Sequence, residues 1–154
     1  MTKGFWDRGG LWVLVQSLLM GGILALGPLG AGVDPGTFAR MAALLLIVVG
    51  SAFGIAGAVT MGRVRTIYPE PNQHARLISH GIYSSVRHPI YTSLIFLSFG
   101  WSLAWNSTAA FAISGVMLLF LIAKSSNEER RLRRKFPEYE AYAKTSKRLI
   151  PWIY

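Results

Sequence analysis

The sequence predicts an all-α integral membrane protein of about four transmembrane helices, followed by a cytosolic C-terminal helical segment. Three observations carry this expectation. Hydrophobic residues make up 52% of the 154 and mean hydropathy is positive, which is unusually apolar for a soluble domain. The apolar residues gather into uncharged runs near the length that crosses a hydrocarbon core, about 20 residues. The formal net charge of +9 arises from Lys and Arg placed between and after those runs, as in loops retained on the cytoplasmic side.

The first run covers about 11–31 and carries no charge. Lys3 and Arg8 precede it, as they would a signal peptide, but the run is long for such a segment and no soluble mature domain follows. It therefore reads as a span. In the second run, about 42–61, Gly50, Gly54 and Gly57 recur near helical spacing, so a neighbouring helix is expected to approach closely. The third and fourth runs, about 90–104 and 108–123, are separated by Trp105, Asn106 and Ser107, which predicts a helical hairpin. Asn106-Ser107-Thr108 has the form of a glycosylation sequon, yet lies too near the membrane to be informative.

Charge assigns sides. Arg40, with Asp34 close by, stands between the first two runs, whereas the next connection carries Arg63, Arg65, Arg76 and Arg87. The third connection is uncharged, and the chain from Lys124 onward is heavily basic. Both termini and the 62–88 connection are thus expected in the cytosol, as an even number of spans requires. Without a targeting extension, the compact Gly- and Ala-rich chain suggests a prokaryotic plasma membrane. In the tail, helix is expected to continue from the fourth span to Lys135; Pro137 suits the first turn of a new helix, with Glu138 and Glu140 near its N-terminus. Leu132, Phe136, Tyr139 and Tyr142 form an apolar face. The whole of 1–154 reads as one domain, with no internal repeat.

Several function classes are set aside. The chain has no cysteine, which removes disulfides, thiolate metal sites and cysteine nucleophiles. His74, His80 and His88 fall at spacings of six and eight, matching no zinc-ligand pattern, so no metal is expected. Nucleic-acid binding would need a basic face on a soluble fold. No obligate protein partner is evident.

Two clusters could carry chemistry. His80-Gly81-Ile82-Tyr83 and Arg87-His88-Pro89-Ile90-Tyr91 lie at the entrance of the third span, and Glu128-Glu129 beyond the exit of the fourth. At about 1.5 Å per residue, His88 and Glu128 lie about 25 and 30 Å below the hairpin turn, so they return to similar depth. Taken singly, the two glutamates read as a solvated helix face paired with Arg131, Arg133 or Lys135, Pro89 as a helix start and His88 as an interfacial residue. Together they form a mixed-charge pocket. Carboxylates there can take an amino group, ribose hydroxyls or a sulfonium, Arg87 can take a carboxylate, and Tyr83 or Tyr91 can stack on an aromatic base. Glu128 also falls on the inward stripe with Leu132.

The runs GIYSSVRHPIYTS and EERRLRRKFPEYEAYAKTSKRLIP, within Ser79 to Pro151, resemble the isoprenylcysteine carboxyl methyltransferase and phospholipid methyltransferase superfamily. That resemblance implies an S-adenosylmethionine-dependent methyltransferase, with its cofactor in a cytosolic pocket formed by segments 62–89 and 124–154 and the last two spans. A lipophilic or lipid acceptor would enter laterally from the bilayer. Arg87, His88, Pro89, Tyr91, Glu128 and Glu129 would line the cofactor site, with His80, Gly81 and Tyr83 as neighbours and Tyr139, Tyr142 and Pro151 closing it. Two departures stand out: Thr92-Ser93 replaces a tyrosine-x-glycine continuation, and Thr145 occupies the place of an arginine found in relatives that methylate a prenylated cysteine carboxylate. Lys144, Lys147 or Arg148 is the candidate replacement. An ionised acceptor needs only such a cation, whereas an amine acceptor would lose its proton to Glu129 or His88.

Two rivals remain. Sterol reductases, which use NADPH, resemble the proline-aromatic end Pro151-Trp152-Ile153-Tyr154, but have more spans and a glycine-aspartate where Thr92-Ser93-Leu94 stands. A small exporter would call for an ionisable residue within a span, and the first two runs hold none.

Overall fold

The computed structural model describes residues 9–62, 77–151 and 153. Lys3, Arg8, Arg63, Arg65, His74, Arg76, Trp152 and Tyr154, which figure in the sequence argument, lie outside the described residues. The described chain is all-helical. Its elements are α1 (Gly10–Leu29), α2 (Gly36–Met61), a short 3-10 turn (Gly81–Ser84), α3 (Pro89–Ala104), α4 (Thr108–Lys135) and α5 (Tyr139–Thr145).

Length and composition let α1, α2 and α4 cross a bilayer, while α3, at 16 residues, is shorter. At about 1.5 Å per residue, the 28 residues of α4 exceed a hydrocarbon core of about 30 Å. The helix is thus long enough to cross with its first part and still extend beyond, consistent with the division at 108–123 and 124–135 that its charge pattern leads us to expect. α2 begins six residues earlier than its uncharged run, because Asp34 accepts from the Gly36 N–H and pairs with Arg40 at the helix entrance. α1 ends at Leu29 rather than residue 31, and Gly30 closes it by donating to the Leu26 carbonyl.

α3 is the central element, with α2 packed along one side and α4 and α1 on the other. α1, α2 and α4 each carry large exposed apolar side chains, such as Leu18, Leu44 and Leu119, which suits them to face lipid. Between lipid-exposed helices there is little hydrophobic driving force, so close backbone approach and interhelical hydrogen bonds hold them together. Both are present. A Cβ on Gly50, Gly54 or Gly57 would sit about 3 Å or less from α3 atoms, namely Phe96 Cβ, Ser93 Oγ and Pro89 Cγ, bearing out the expected approach. The buried hydroxyls of Ser102 and Ser114 meet at 3.0 Å between α3 and α4.

The expected hairpin between α3 and α4 forms at Trp105, Asn106 and Ser107, with Asn106 at φ 49. Ser107 Oγ accepts from the Ala110 N–H, which caps α4, and donates to the Leu26 carbonyl, which ties the turn to α1. With the hairpin closed, the start of α3 and the C-terminal extension of α4 lie side by side.

Gly54→Leu is expected to lower the thermal unfolding midpoint in detergent, with an overpacking cost of about 1–3 kcal/mol. Gly21→Leu, where an added Cβ meets nothing within 4 Å, should carry no such overpacking cost.

Candidate active site

The approach to α3 is an irregular segment held by the C-terminal tail. His80 to Ser85 turn through the 3-10 element, with Gly81 at φ 60 and packed on Thr60 of α2. A non-glycine residue there would be both strained and crowded. Residues 85–88 then pair with a tail strap at 146–149: Arg87 N–H donates to Lys147 O at 2.8 Å, His88 N–H to Arg148 O at 3.1 Å, and Lys147 N–H to Ser85 O at 3.0 Å. The Thr92 hydroxyl donates to the Leu149 carbonyl, and Leu149 itself is buried with Ile23, Ile95, Met117 and Leu121. The strap is thus anchored both in polar backbone bonds and in the apolar core.

Pro89 begins α3 at its first position, where no N–H is missed, and directs Arg87 and His88 toward α4. Arg87 Nε donates to Glu129 Oε1 at 2.8 Å, while its Nη1 donates to the carbonyls of Ala143 and Ser146. Arg148 Nη2 reaches the other oxygen, Oε2, at 3.0 Å, and its Nη1 donates to Ser126 Oγ. Glu129 is only 2% exposed. Burial by itself would raise its carboxyl, but His88 and Arg87 outweigh that and hold it below the ordinary carboxylate range.

His88 lies between the two carboxylates, with Nε2 3.3 Å from Glu129 Oε1 and Nδ1 3.7 Å from Glu128 Oε2. The Nε2 approach is out of line for a hydrogen bond, leaving that buried nitrogen unsatisfied among the described residues. Its ring stacks on Tyr91 with centroids 5.3 Å apart and planes 2° from parallel. The Tyr91 hydroxyl donates to Glu128 Oε2 at 3.0 Å. Glu128 differs from its neighbour: it is 24% exposed, and Oε1 accepts no hydrogen bond from the described residues.

The structure therefore brings together Arg87, His88, Pro89, Tyr91, Glu128, Glu129 and Arg148. Tyr139 is buried beside them, its hydroxyl unpartnered among the described residues. Tyr142 donates to the Tyr83 carbonyl at 2.7 Å, and burial pushes its phenol up to about 12, so it stays a neutral donor. Tyr83 supports the pocket from below. Exposed His80 makes no side-chain contact with the carboxylates among the described residues, and Gly81 serves the turn. Thr145 is exposed and its hydroxyl donates to the Tyr142 carbonyl, while Lys144 and Lys147 are exposed. Of the three candidate replacement cations, Arg148 is the one at the cluster. The described residues hold no group of three metal-ligating side chains.

This donor set fits a cofactor bearing an ammonium, hydroxyls and an aromatic base. Glu128 Oε1 offers an acceptor for a cation or hydroxyl, His88 Nε2 and Tyr139 OH are buried polar atoms awaiting partners, and the His88–Tyr91 stack supplies aromatic surface. What the sequence argument missed are Lys124 and Gln16, which meet at 2.5 Å beside Tyr91. The four-residue spacing of Lys124 from Glu128 was the available signal.

The profile of the family described as phospholipid methyltransferase matches residues 38–139. Among curated proteins, the chain is similar to protein-S-isoprenylcysteine O-methyltransferase A of Arabidopsis thaliana, 30% identical over 71% of this chain and 58% of that one. It is also similar to a probable protein-S-isoprenylcysteine O-methyltransferase of Oryza sativa subsp. japonica, 30% identical over 75% and 63%. The chain thus spans about three fifths of the length of these relatives. They are plant proteins and lend no support to a prokaryotic membrane.

Replacing Glu129 by Gln removes the carboxylate from the largely buried Arg87 guanidinium, whose side chain is 10% exposed, and should destabilise the protein by about 3–5 kcal/mol. Glu140→Gln, on the exposed pair with Arg133, should cost at most about 1 kcal/mol. Because the folded carboxyl of Glu129 lies below its unfolded value of about 4.3, its stabilisation is complete above that pH and lost as pH falls further. Thermal midpoints recorded from pH 7 to pH 3 should therefore fall more steeply in the wild type than in Glu129→Gln.

Proposed function

The chain belongs to the phospholipid methyltransferase superfamily of multi-pass membrane proteins, and from that premise we propose that it transfers the methyl group of S-adenosylmethionine to a lipophilic acceptor arriving from the bilayer. The convergence of Glu128 and Glu129 with His88 and Tyr91, where α3 and α4 meet after the hairpin, carries this reading. The names of the relatives, isoprenylcysteine O-methyltransferases, support the same reaction class.

S-adenosylmethionine would bring an electrophilic methyl on a sulfonium sulfur, so the protein's task is alignment in a dry pocket. Glu128, with one oxygen unengaged among the described residues, would take the ammonium or the ribose hydroxyls. His88 and Tyr91 present polar and aromatic surface beside it. Glu129 acts by position, since its two oxygens hold Arg87 and Arg148 and thereby seat the α3 entrance and the tail strap over the site. Tyr139 and Tyr142 close it from the tail, shedding water. An ionised acceptor needs no base; an amine acceptor would give its proton to His88, since Glu129 is held as a carboxylate by its two arginines. The basic residues of 124–148 and of the 62–88 connection support a cytosolic placement for the site and both termini.

In detergent, S-adenosylhomocysteine should raise the unfolding midpoint and NADPH should not, since a ligand at one hundred times its Kd stabilises by about 2.7 kcal/mol. Glu128→Gln and His88→Ala should each raise the concentration required by about tenfold or more, the weight of a hydrogen bond to a charged group. Unaltered S-adenosylhomocysteine affinity in both variants would remove the site assignment, and stabilisation by NADPH alone would point to reductase chemistry.

A further inference from the structure

Lys124 is a buried cation to which the proposed methyl transfer gives no part. It is 2% exposed, and among the described residues it makes no ion pair with Glu128, four residues on. Its ammonium instead donates to Gln16 Oε1 of α1 at 2.5 Å and stands over the Tyr91 ring, 5.2 Å from the centroid. A lysine has donors only, so the carbonyl oxygen of the Gln16 amide is the atom that faces it. Burying an ammonium is costly unless it is well partnered, and a side chain that merely filled this place would be apolar.

The aromatic contact falls on a ring that the site depends on. Tyr91 lies in the first turn of α3, stacked on His88 with planes 2° apart, and its hydroxyl donates to Glu128 Oε2. That bond occupies one Glu128 oxygen and leaves Oε1 without a partner among the described residues. Where the ring sits therefore decides how the partly open carboxylate is turned. The ammonium adds a third contact to the ring, drawn to the negative charge of its π face. Gln16 fixes the ammonium in turn, from a helix packed along α4.

We propose that Lys124, held by Gln16, is a positioning residue: through the Tyr91 ring it sets the carboxylate of Glu128 for the ligand that Glu128 receives. This inference rests on the function proposed above, and it makes α1 part of the site through a single amide. Lys124 itself touches neither cofactor nor acceptor. Without its charge the ring gains freedom, Glu128 Oε2 loses a steady donor, and an incoming ligand has both side chains to order.

The test pairs a ligand titration with a ligand-free signal, both on the full chain in detergent. Lys124→Met, which keeps the length and removes the charge, should raise the S-adenosylhomocysteine concentration for half-maximal thermal stabilisation by about tenfold, the weight of a desolvated cation–π contact. Lys124→Arg, which can also lie over an aromatic face, should return it to within about threefold of wild type. In a Glu128→Gln background the Lys124→Met change should add less than about twofold, because the two act along one route. An equal tenfold cost in that background, or unaltered affinity in Lys124→Met, would overturn the proposal and leave Lys124 as a tie between α1 and α4. If Lys124→Met does not fold, Gln16→Leu serves the same comparison, with a loss of about threefold or more expected in the wild-type background only. Tyrosine labelled with carbon-13 at Cζ reads the ring without ligand, its Tyr91 resonance being the one absent from Tyr91→Phe. That resonance should be single in the wild type and shifted or broadened in Lys124→Met; an unchanged line would equally overturn the proposal. A changed line in a protein whose wild type is not stabilised by S-adenosylhomocysteine would tell against the proposed function and not against the placing of the ring.

Discussion

The buried carboxylate of Glu129 is the interaction on which the rest of the site depends. One oxygen receives Arg87 from the start of α3, the other receives Arg148 from the tail strap, and His88 stands against it. Three segments far apart in sequence therefore meet at one acidic group on α4. A buried ion pair is poor in net stabilisation, because desolvation offsets most of the Coulomb gain. Its effect is on arrangement: with Glu129 in place, Arg87 also reaches the carbonyls of Ala143 and Ser146, and alternative positions of the tail leave charges unmatched.

The two adjacent glutamates consequently do different things. Glu129 faces inward and is saturated by its cations, whereas Glu128, one position along the helix, keeps an oxygen that no described residue engages while Tyr91 steadies the other. Adjacent residues on a helix point about 100° apart, so one is turned into the fold and the other stays partly open. Lys124, one turn earlier on α4, adds the contact with Gln16 beside the Tyr91 ring.

Much of this was legible beforehand, for a geometric reason. The short polar break at Trp105 to Ser107 forces a hairpin, and the fixed rise per residue returns His88 and Glu128 to one level. The glycines of α2 declared their close packing because only a missing side chain admits a neighbouring backbone. The strap was not legible. Pairing between 85–88 and 146–149 depends on tertiary placement, and neither segment has a periodic signal of its own. The contact of Gln16 with Lys124 spans 108 positions and depends on the rotation of α1, which an almost uniformly apolar run leaves unspecified. For the same reason Arg87, a candidate partner for a ligand carboxylate by composition, is engaged by three protein acceptors.

A double-mutant cycle on Arg87→Met and Glu129→Leu, read as unfolding free energy in detergent, tests this arrangement most directly. If the carboxylate joins the three segments, removing both partners should cost less than the two single losses combined, with a coupling of about 1–3 kcal/mol. Strict additivity would mean that Arg87 and Glu129 act independently, and would contradict the account of how the site is built.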